Sequence, residues 1–349
     1  MEENIAGEHT AHQVQDDPPE YENWRQPIEQ PSNRLRGTKV RKKTKATLKI
    51  ASLNMRGHGT DKWNHINQII KEKRIGILAI QETHLSDNHV DQLHNLFNKR
   101  MKIIHSIDPQ EPNAKGVAIV LNKEITNTVG TKATEVIPGR ALLVQIPWCT
   151  GLIIRILAIY APNTPAENKA FWDTIHEKWQ REHLPKPDIM LGDYNLIEDP
   201  IDRLPCHADN TQTVEALQNI KSLFLLHDGW HRAYPTTKSY TYLQRATGSQ
   251  SRIDRIYVTE KIFKNSFDWD INPSGITTDH QMVSIQISDD TLPFVGKGRW
   301  TIPLNLLKNK ILMQVIQKKG KELEAQMERI KQARTNENNP QTAFKKIQR

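Results

Sequence analysis

The feature that most constrains this chain is a series of short apolar runs, each long enough for one β-strand and each followed by polar residues. The clearest runs are LKIASLN (48–54), IGILAIQE (75–82), GVAIVLN (116–122), ALLVQI (141–146), LIIRILAIY (152–160) and DIMLGDYN (188–195). Runs of this length and composition are typical of strands buried on both faces of a sheet. The sequence therefore predicts a core built from several buried strands.

Segments with helical periodicity lie between several of these runs. They place apolar residues three and four positions apart, at 63–73, 90–99, 167–182 and 213–226. Strand patterns return later in SYTYLQ, SRIDRIYV and QMVSIQI. Strands mixed with helices in this way predict an α/β or α+β sandwich, in which helices cover a pair of packed sheets.

The two ends of the chain differ from its central part. Residues 1–46 combine clustered charge with few branched aliphatic side chains, which predicts a disordered arm that is acidic first and basic afterwards. We expect one domain at 47–290 and a basic, mainly helical extension at 291–349. The whole chain has a net charge of +8, yet residues 50–296 carry about −2. The basic charge therefore lies on the flanks, where it could add non-specific affinity for DNA or serve only as a solvated surface.

Composition excludes several classes of protein. No run approaches 18 apolar residues, and the amino terminus lacks the charged and apolar regions of a secretion signal. The two cysteines, Cys149 and Cys206, are too few for a cysteine-based zinc site and do not form a CxxC pair. We expect reduced cysteines, a nuclear or cytoplasmic location, no membrane partner and no small-molecule organic cofactor.

Polar residues at the ends of the apolar runs are the first candidates for a functional site. They are Asn54, Glu82, Tyr160, Asp193 and Asn195. Any one of them alone is more often a turn residue. Ligands of α/β sheets, however, bind in the crevice outside the strand ends, and four runs end alike. We therefore expect these side chains to converge.

Two later segments add titratable groups. Asp254 opens a strand after a Gly/Ser turn, and Asp279 and His280 lie in a polar loop before QMVSIQI. A carboxylate beside an imidazole can orient the ring and support proton transfer or phosphate binding. Oxygen ligands in the absence of cysteines favour Mg²⁺, with Mn²⁺ as the alternative.

The motifs LNMRG, QETH, YAPN, GDYN, SRID and TDH follow one another in this order within residues 48–288. This succession resembles the endonuclease/exonuclease/phosphatase superfamily, whose members include abasic-site endonucleases and DNase I. Within it, the chain is most similar to the endonuclease domain of LINE-type non-LTR retrotransposons of the fungal type. The resemblance implies a DNase I-like, four-layer α/β sandwich of two mixed β-sheets flanked by helices.

The resemblance also implies roles for the candidate residues. Glu82 is the principal metal ligand, with Asn54 and Asp279 beside it. Asp193 orients or deprotonates the attacking water, and Asn195 holds that water or a phosphate oxygen. The remaining catalytic candidates are Tyr160, as a donor to the phosphate, and His280, which Asp254 steers toward the charge developing on phosphorus.

Two further residues are predicted to meet the substrate. Thr241 lies thirteen positions before Asp254, where retrotransposon endonucleases carry a threonine that approaches DNA. Arg252 adjoins Asp254 and is a candidate phosphate contact, although a structural ion pair is the alternative for such an arginine. Arg56 and Arg203 are weaker candidates of the same kind.

The sequence thus predicts a Mg²⁺-dependent hydrolase that nicks DNA. No reverse transcriptase motif occurs, so we expect a truncated copy, a domain fragment or a domesticated gene product. Two alternatives stay open: the same fold acting on another phosphodiester or phosphomonoester, and a catalytically silent nucleic-acid-binding protein. Oligomeric state and cleavage specificity are not predicted.

Overall fold

The structure is a computed structural model that describes most of the chain. The described residues are 46–57, 59–111, 115–149, 151–289, 309–333, 335 and 339–340. The predicted arm at 1–46 lies outside this part except for its last residue, and much of the predicted extension at 291–349 does so too. Within the part of the extension that is described, α7 (Lys310–Gln332) is a single helix of 23 residues.

The first large sheet has six strands in the order β14-β15-β1-β2-β4-β3. Their bounds are β1 (Leu48–Asn54), β2 (Ile75–Gln81), β3 (Met101–Ser106), β4 (Val117–Asn122), β14 (Ser266–Asn272) and β15 (Met282–Ile287). Neighbours are antiparallel except β1 and β2, which are parallel. A parallel pair needs a crossover connection, which α1 (Thr60–Glu72) supplies.

The second large sheet repeats this plan with the order β10-β13-β8-β7-β6-β5. Its strands are β5 (Lys132–Ile137), β6 (Ala141–Trp148), β7 (Leu152–Tyr160), β8 (Ile189–Asp193), β10 (Leu226–Asp228) and β13 (Asp254–Thr259). Here β7 and β8 form the parallel pair, and α3 (Pro165–Glu182) is the crossover between them. Each sheet therefore has one parallel pair near its centre.

Three apolar clusters define four layers. One lies between the sheets and joins residues such as Ile50 and Ile77 of the first sheet to Leu142 and Ile156 of the second. The second packs the first sheet against α1 and α2 (Asp87–Phe97), and the third packs the second sheet against α3 and α4 (Thr211–Phe224). The predicted α/β sandwich of two mixed sheets flanked by helices is confirmed.

Smaller elements surround one end of the second sheet. A three-stranded sheet has the order β11-β12-β9, with β9 (Arg203–Leu204), β11 (Tyr242–Gln244) and β12 (Ser249–Ser251). The short helices α5 (Gly229–Ala233) and α6 (Glu260–Lys264) flank β13. Within the described part of the chain, no helix combines the length and apolar character needed to cross a bilayer.

The apolar runs predicted as strands form β1, β2, β4, β6, β7 and β8, and the four helical patterns form α1 to α4. The prediction missed the short β9 and β12 of the small sheet, and in the two large sheets it missed β3, β5, β10 and β14. These four are the edge strands of the two large sheets.

Candidate active site

The predicted residues at the strand ends meet where the two parallel pairs end. Asn54 and Asp193 are the last residues of β1 and β8, Glu82 directly follows β2, and Tyr160 ends β7. Asp254 begins β13, which runs antiparallel to β8, so that Asp254 pairs with Asp193. The carboxyl ends of parallel strands thus supply the site from both sheets.

The amide of Asn54 joins the two halves of the site. Its Nδ2 donates to Glu82 Oε1 at 2.9 Å and to Asp193 Oδ2 at 3.0 Å. Asn54 Oδ1 accepts from the main-chain nitrogen of Arg56 at 3.0 Å, which fixes the orientation of the amide. The hydroxyl of Tyr160 also donates to Glu82 Oε1, at 3.2 Å. One side chain from the first sheet therefore holds carboxylates contributed by each sheet.

The turn after β8 depends on the residues of the GDYN motif. Gly192 has φ 149°, and a Cβ there would lie 1.9 Å from the carbonyl oxygen of Ile159 on the neighbouring strand. Asn195 has φ 48° and donates from Nδ2 to the carbonyl oxygen of Ala161 at 2.8 Å. Its main-chain nitrogen donates to Asp193 Oδ1 at 3.0 Å. Asn195 thus shapes the turn and orients Asp193, and its predicted contact with the water or a phosphate oxygen stays a prediction.

Asp254 and His280 form a buried pair beside Asp193. His280 Nδ1 lies 2.8 Å from Asp254 Oδ2, as predicted for a steering carboxylate. Burial lowers the pKa of His280, but the charge of Asp254 and the hydrogen bond to it outweigh burial and raise that pKa to about 9. The imidazole is therefore a cation at neutral pH. The ring of Tyr242 lies 4.9 Å from that of His280, between centroids.

Asp193 and Tyr160 titrate abnormally because both are buried among carboxylates. Burial, followed by the charge of Asp254, raises the pKa of Asp193 to about 7. A carboxyl group with this pKa can exchange a proton near neutral pH. Burial and the charges of Glu82 and Asp193 raise the pKa of Tyr160, so its hydroxyl stays protonated as a hydrogen-bond donor.

Asp279 reaches the site from the loop before β15. Its Oδ2 forms an ion pair with Arg56 Nη1 at 2.6 Å. Its carbonyl oxygen accepts from the main-chain nitrogen of Leu243 in β11 at 3.1 Å. The preceding Thr278 donates from Oγ1 to the carbonyl oxygen of Asn54 at 2.9 Å. We refer below to Asn54, Glu82, Tyr160, Asp193, Asp254, Asp279 and His280 as the strand-end cluster.

Two settings in the cluster suit a hard divalent cation. Asp193, Asp254 and His280 offer ligand atoms that all lie within 4.8 Å of one another. Glu82 and Asp279 are carboxylates of the predicted ligand set, and no described residue donates a hydrogen bond to Glu82 Oε2 or Asp279 Oδ1. Asp254 Oδ1 is likewise buried without a partner in the described part of the chain. The donor set is rich in carboxylate oxygen and free of sulfur, as Mg²⁺ and Mn²⁺ prefer.

The two predicted substrate contacts require correction. The side chain of Thr241 is 0% exposed, and its hydroxyl accepts from the main-chain nitrogens of Ile253 and Asp254 at 3.1 and 3.0 Å. Thr241 therefore supports the start of β13 instead of facing DNA. Arg252 is 2% exposed and lies 5.0 Å above the ring of Trp230. Its guanidinium donates three hydrogen bonds to the buried carboxylates of Asp202 and Asp228, so the side chain forms a structural ion pair and does not face solvent.

Arg252 belongs to a buried ion-pair network behind the cluster, formed by Glu198, Asp202, Lys221, Asp228, Arg252 and Arg255. Arg252 donates to both oxygens of Asp202 at 2.8 and 2.9 Å and to Asp228 at 2.8 Å. Arg255 donates to Asp202 at 3.1 Å and to Glu198 at 2.9 Å. The sequence analysis missed the acidic members because isolated Asp and Glu residues in loops carry no pattern that distinguishes a buried ion pair from a solvated charge.

Sequence reasoning also missed three residues that fix the loops of the site. Thr278 and Tyr242 contact the cluster, as described above. Lys62 donates from Nζ to the carbonyl oxygens of Met55 and Arg56 at 2.7 Å each, and thereby holds the loop after β1. The TTDH sequence offered a signal for Thr278, because a threonine just before a catalytic loop often accepts or donates a local hydrogen bond.

Known proteins resemble this chain in both sequence and fold. The sequence pattern of the Endonuclease/Exonuclease/phosphatase family matches residues 51–289. The transposon TX1 uncharacterized 149 kDa protein of Xenopus laevis is 31% identical over 159 residues. That match covers 45% of this chain and 12% of the Xenopus protein, so the chain spans only a small part of this relative's length.

Three solved structures share the fold at low sequence identity. The AP endonuclease LMAP from Leishmania major has a TM-score of 0.57 and 16% identity, over 70% of this chain and 88% of that one. An AP endonuclease from Archaeoglobus fulgidus has 0.56 and 18%, over 69% and 100%. The endonuclease domain of TRAS1, a telomere-specific non-LTR retrotransposon, has 0.52 and 16%, over 70% and 99%. With a family match over most of its length and a sandwich fold whose strand ends gather the motif residues, this chain belongs to the endonuclease/exonuclease/phosphatase family.

Proposed function

We propose that this chain is a divalent-metal-dependent endonuclease that nicks DNA. The observation that carries the proposal is the bridge made by Asn54, which places Glu82 and Asp193 on either side of one amide. A carboxylate for a cation and a carboxylate for a water must be close but distinct in metal-assisted hydrolysis. The relation to TX1 and to the TRAS1 endonuclease domain supports DNA of a retrotransposon target as the substrate.

Glu82, together with Asn54 and Asp279, would hold the cation. The bound cation would supply positive charge that polarises the phosphodiester and offsets the charge of the transition state. The group of Asp193, Asp254 and His280, whose ligand atoms lie within 4.8 Å of one another, is the alternative place for the cation.

The remaining members of the cluster carry the proton transfer and bind the phosphate. Asp193, whose pKa is raised to about 7, takes the proton from the attacking water. Oxygen of that water bonds to phosphorus while the bond from phosphorus to the leaving deoxyribose oxygen breaks. His280 is held as a cation by Asp254 and donates from Nε2 to a non-bridging oxygen. Tyr160 donates its hydroxyl hydrogen bond to the same phosphate group.

Supercoiled-plasmid nicking tests the proposal. The purified chain is assayed with Mg²⁺, with Mn²⁺ and with EDTA, and the variants Glu82→Ala and Asp193→Asn are assayed beside it. Conversion to open circle should require the divalent ion and should be abolished by both substitutions. Glu260→Ala, which removes the ion pairs with Arg232 and Lys264, and Asp173→Asn, which removes that with Lys169, are controls on the surface and should nick like the parent chain.

The other outcomes identify the competing functions. A folded chain that shifts DNA in a gel without cutting it under any metal would replace this proposal with a nucleic-acid-binding function. A chain that neither cuts nor binds DNA but hydrolyses small phosphodiesters or phosphomonoesters would retain the chemistry and change the substrate.

A further inference from the structure

The ion pair between Arg56 and Asp279 is unequal in its exposure. The two side chains are joined at 2.6 Å, but that of Arg56 is 62% exposed and that of Asp279 only 11%. Among the described residues, Arg56 is the one lysine or arginine that forms an ion pair with a carboxylate of the strand-end cluster. A solvent-exposed guanidinium thus neutralises a carboxylate of the predicted metal-ligand set.

The main chain around Arg56 is held by hydrogen bonds in which its side chain takes no part. Arg56 has φ 51°, and its nitrogen donates to Asn54 Oδ1 at 3.0 Å. The next residue, Gly57, donates from its nitrogen to the carbonyl oxygen of Glu82 at 2.8 Å. Lys62 Nζ binds the carbonyl oxygen of Arg56 at 2.7 Å. The guanidinium can therefore leave Asp279 by side-chain rotation alone, without disturbing the orientation of Asn54.

The charges of the cluster determine under which conditions the Arg56 side chain rotates away from Asp279. Arg56 is paired with one of the four carboxyl groups of the cluster, and the other three have no lysine or arginine partner among the described residues, so the site can accept further positive charge. Two positive groups at one carboxylate repel each other, whereas a DNA phosphate brought to the site attracts the guanidinium.

We propose that Arg56 is an exchangeable counterion: it neutralises Asp279 in the metal-free protein and moves to a phosphate of the DNA backbone when a divalent cation is bound. This inference rests on the proposed function for its substrate. It makes Arg56 a substrate-binding residue whose contribution depends on the metal. Arg56 and the cation compete for the carboxylate of Asp279. Binding of the metal and binding of DNA therefore become coupled through one residue.

The first experiment measures Mn²⁺ binding to the DNA-free chain by electron paramagnetic resonance of the free ion. Arg56→Met should bind Mn²⁺ about tenfold more tightly, because it removes a nearby positive charge. Arg56→Lys keeps the charge and should stay near the parent affinity. Arg232→Met, which breaks an ion pair of the same 2.6 Å length with Glu260, should change nothing. Unchanged or weaker Mn²⁺ binding by Arg56→Met would overturn the proposal.

The second experiment measures DNA affinity by fluorescence anisotropy, in an Asp193→Asn background that prevents cleavage. With Mg²⁺, Arg56→Met should weaken binding about fivefold and reduce the salt slope by about one. With EDTA the same substitution should have little effect, since the guanidinium is then held by Asp279. An equal loss in both conditions, or no loss in either, would contradict the exchange.

The proposed function fails separately, because it is judged by nicking of the unsubstituted chain. A chain that does not nick but shows the Mn²⁺ and DNA effects retains the counterion role of Arg56. A chain that nicks while Arg56→Met leaves Mn²⁺ affinity unchanged retains the function and loses the counterion role.

Discussion

Two groups of charged residues lie at the start of β13, and they differ in their balance. The buried ion-pair network sets three carboxylates against three cations, and its arginines are almost fully buried. The strand-end cluster sets four carboxyl groups against one basic side chain of its own, His280, and Arg56 pairs with Asp279 from outside the cluster. Arg252 and Arg255 belong to the first group, and Asp254, between them in sequence, belongs to the second.

This difference separates charges that neutralise one another inside the fold from charges that are available to a ligand. A balanced buried network satisfies its own hydrogen bonds and needs no ligand, although removal of one member leaves an uncompensated charge. In an unbalanced cluster, burial and neighbouring carboxylates shift pKa values, as they raise the pKa of Asp193. A bound cation supplies positive charge that such a cluster lacks. Substitutions in the two groups should therefore act on different properties.

The largest effect is expected from Asp193→Asn in the cluster. Nicking should fall on the order of 10³-fold, because the base that accepts the proton is lost. The free energy of unfolding in EDTA should rise by about 1 kcal/mol, since asparagine has no charge to bury. Plasmid nicking and urea unfolding measure the two quantities. A variant that loses both activity and stability would erase the contrast between the groups.

Arg252→Met in the network should show the reverse pattern. It leaves Asp202 and Asp228 without their main partner and should cost about 3 to 5 kcal/mol of unfolding free energy. Nicking per folded molecule and its salt dependence should remain those of the parent. Arg232→Met, at an exposed ion pair, should cost below about 1 kcal/mol. A steep fall in the salt slope for Arg252→Met would restore Arg252 as a phosphate contact.

The two groups should also respond to opposite changes of pH. His280 has a pKa raised to about 9, so its stabilisation is complete below pH 6.5 and is lost as the pH rises through 9. The loss should be about 3 kcal/mol in EDTA and should be absent in His280→Gln. Although burial raises the pKa of Asp228, Arg252 and Arg255 lower it overall, so the network loses stabilisation as the pH falls below about 4.

Urea unfolding of the metal-free chain from pH 3 to pH 10 tests this prediction. The unfolding free energy should fall on the alkaline side in the parent chain and in Arg252→Met alike. If the unfolding free energy of the parent chain does not fall as the pH rises toward 10, His280 is not held as a cation.

The smallest effect is expected at the margin of the network. Lys221 pairs with Glu198, and both side chains are partly exposed, at 18% and 13%. Lys221→Met should therefore cost only about 1 kcal/mol, because Arg255 continues to bind Glu198. Thermal unfolding of Lys221→Met and Arg252→Met compares the loss of stability at the margin of the network with the loss at its centre. A cost as large as that of Arg252→Met would indicate one cooperative unit.

The sequence was sufficient to predict the central strands of the two large sheets but not their edge strands. Strands such as β2 and β4 are buried along their whole length and read as unbroken apolar runs. At an edge, β5 has the sequence KATEVI and is largely exposed, so its apolar pattern is too weak to identify. Edge strands avoid long apolar faces because these would pair with other chains. The missed elements therefore follow from their position in the sheets.

A similar limit applies to the site. The residues that end central strands, such as Asn54 and Asp193, could be predicted because strand ends and ordered motifs both pointed to them. Arg252 lies in the SRID motif and Thr241 precedes that motif in the chain, but both side chains face the interior, which no spacing reveals. The contact between Arg56 and Asp279 joins two loops far apart in the chain, which the pairing of β1 with β15 brings together.

The first sheet is built from both ends of the family domain, because β15 pairs with β1, and this has a consequence for timing. Thr278 and Asn54 meet at the site although they are 224 positions apart. A chain still on the ribosome holds Asn54 and Glu82 long before Asp279 and His280 exist, and neither sheet alone assembles the cluster. The proposed nuclease activity would therefore appear only late in folding. Nascent or half-folded copies would not cut the DNA of the cell.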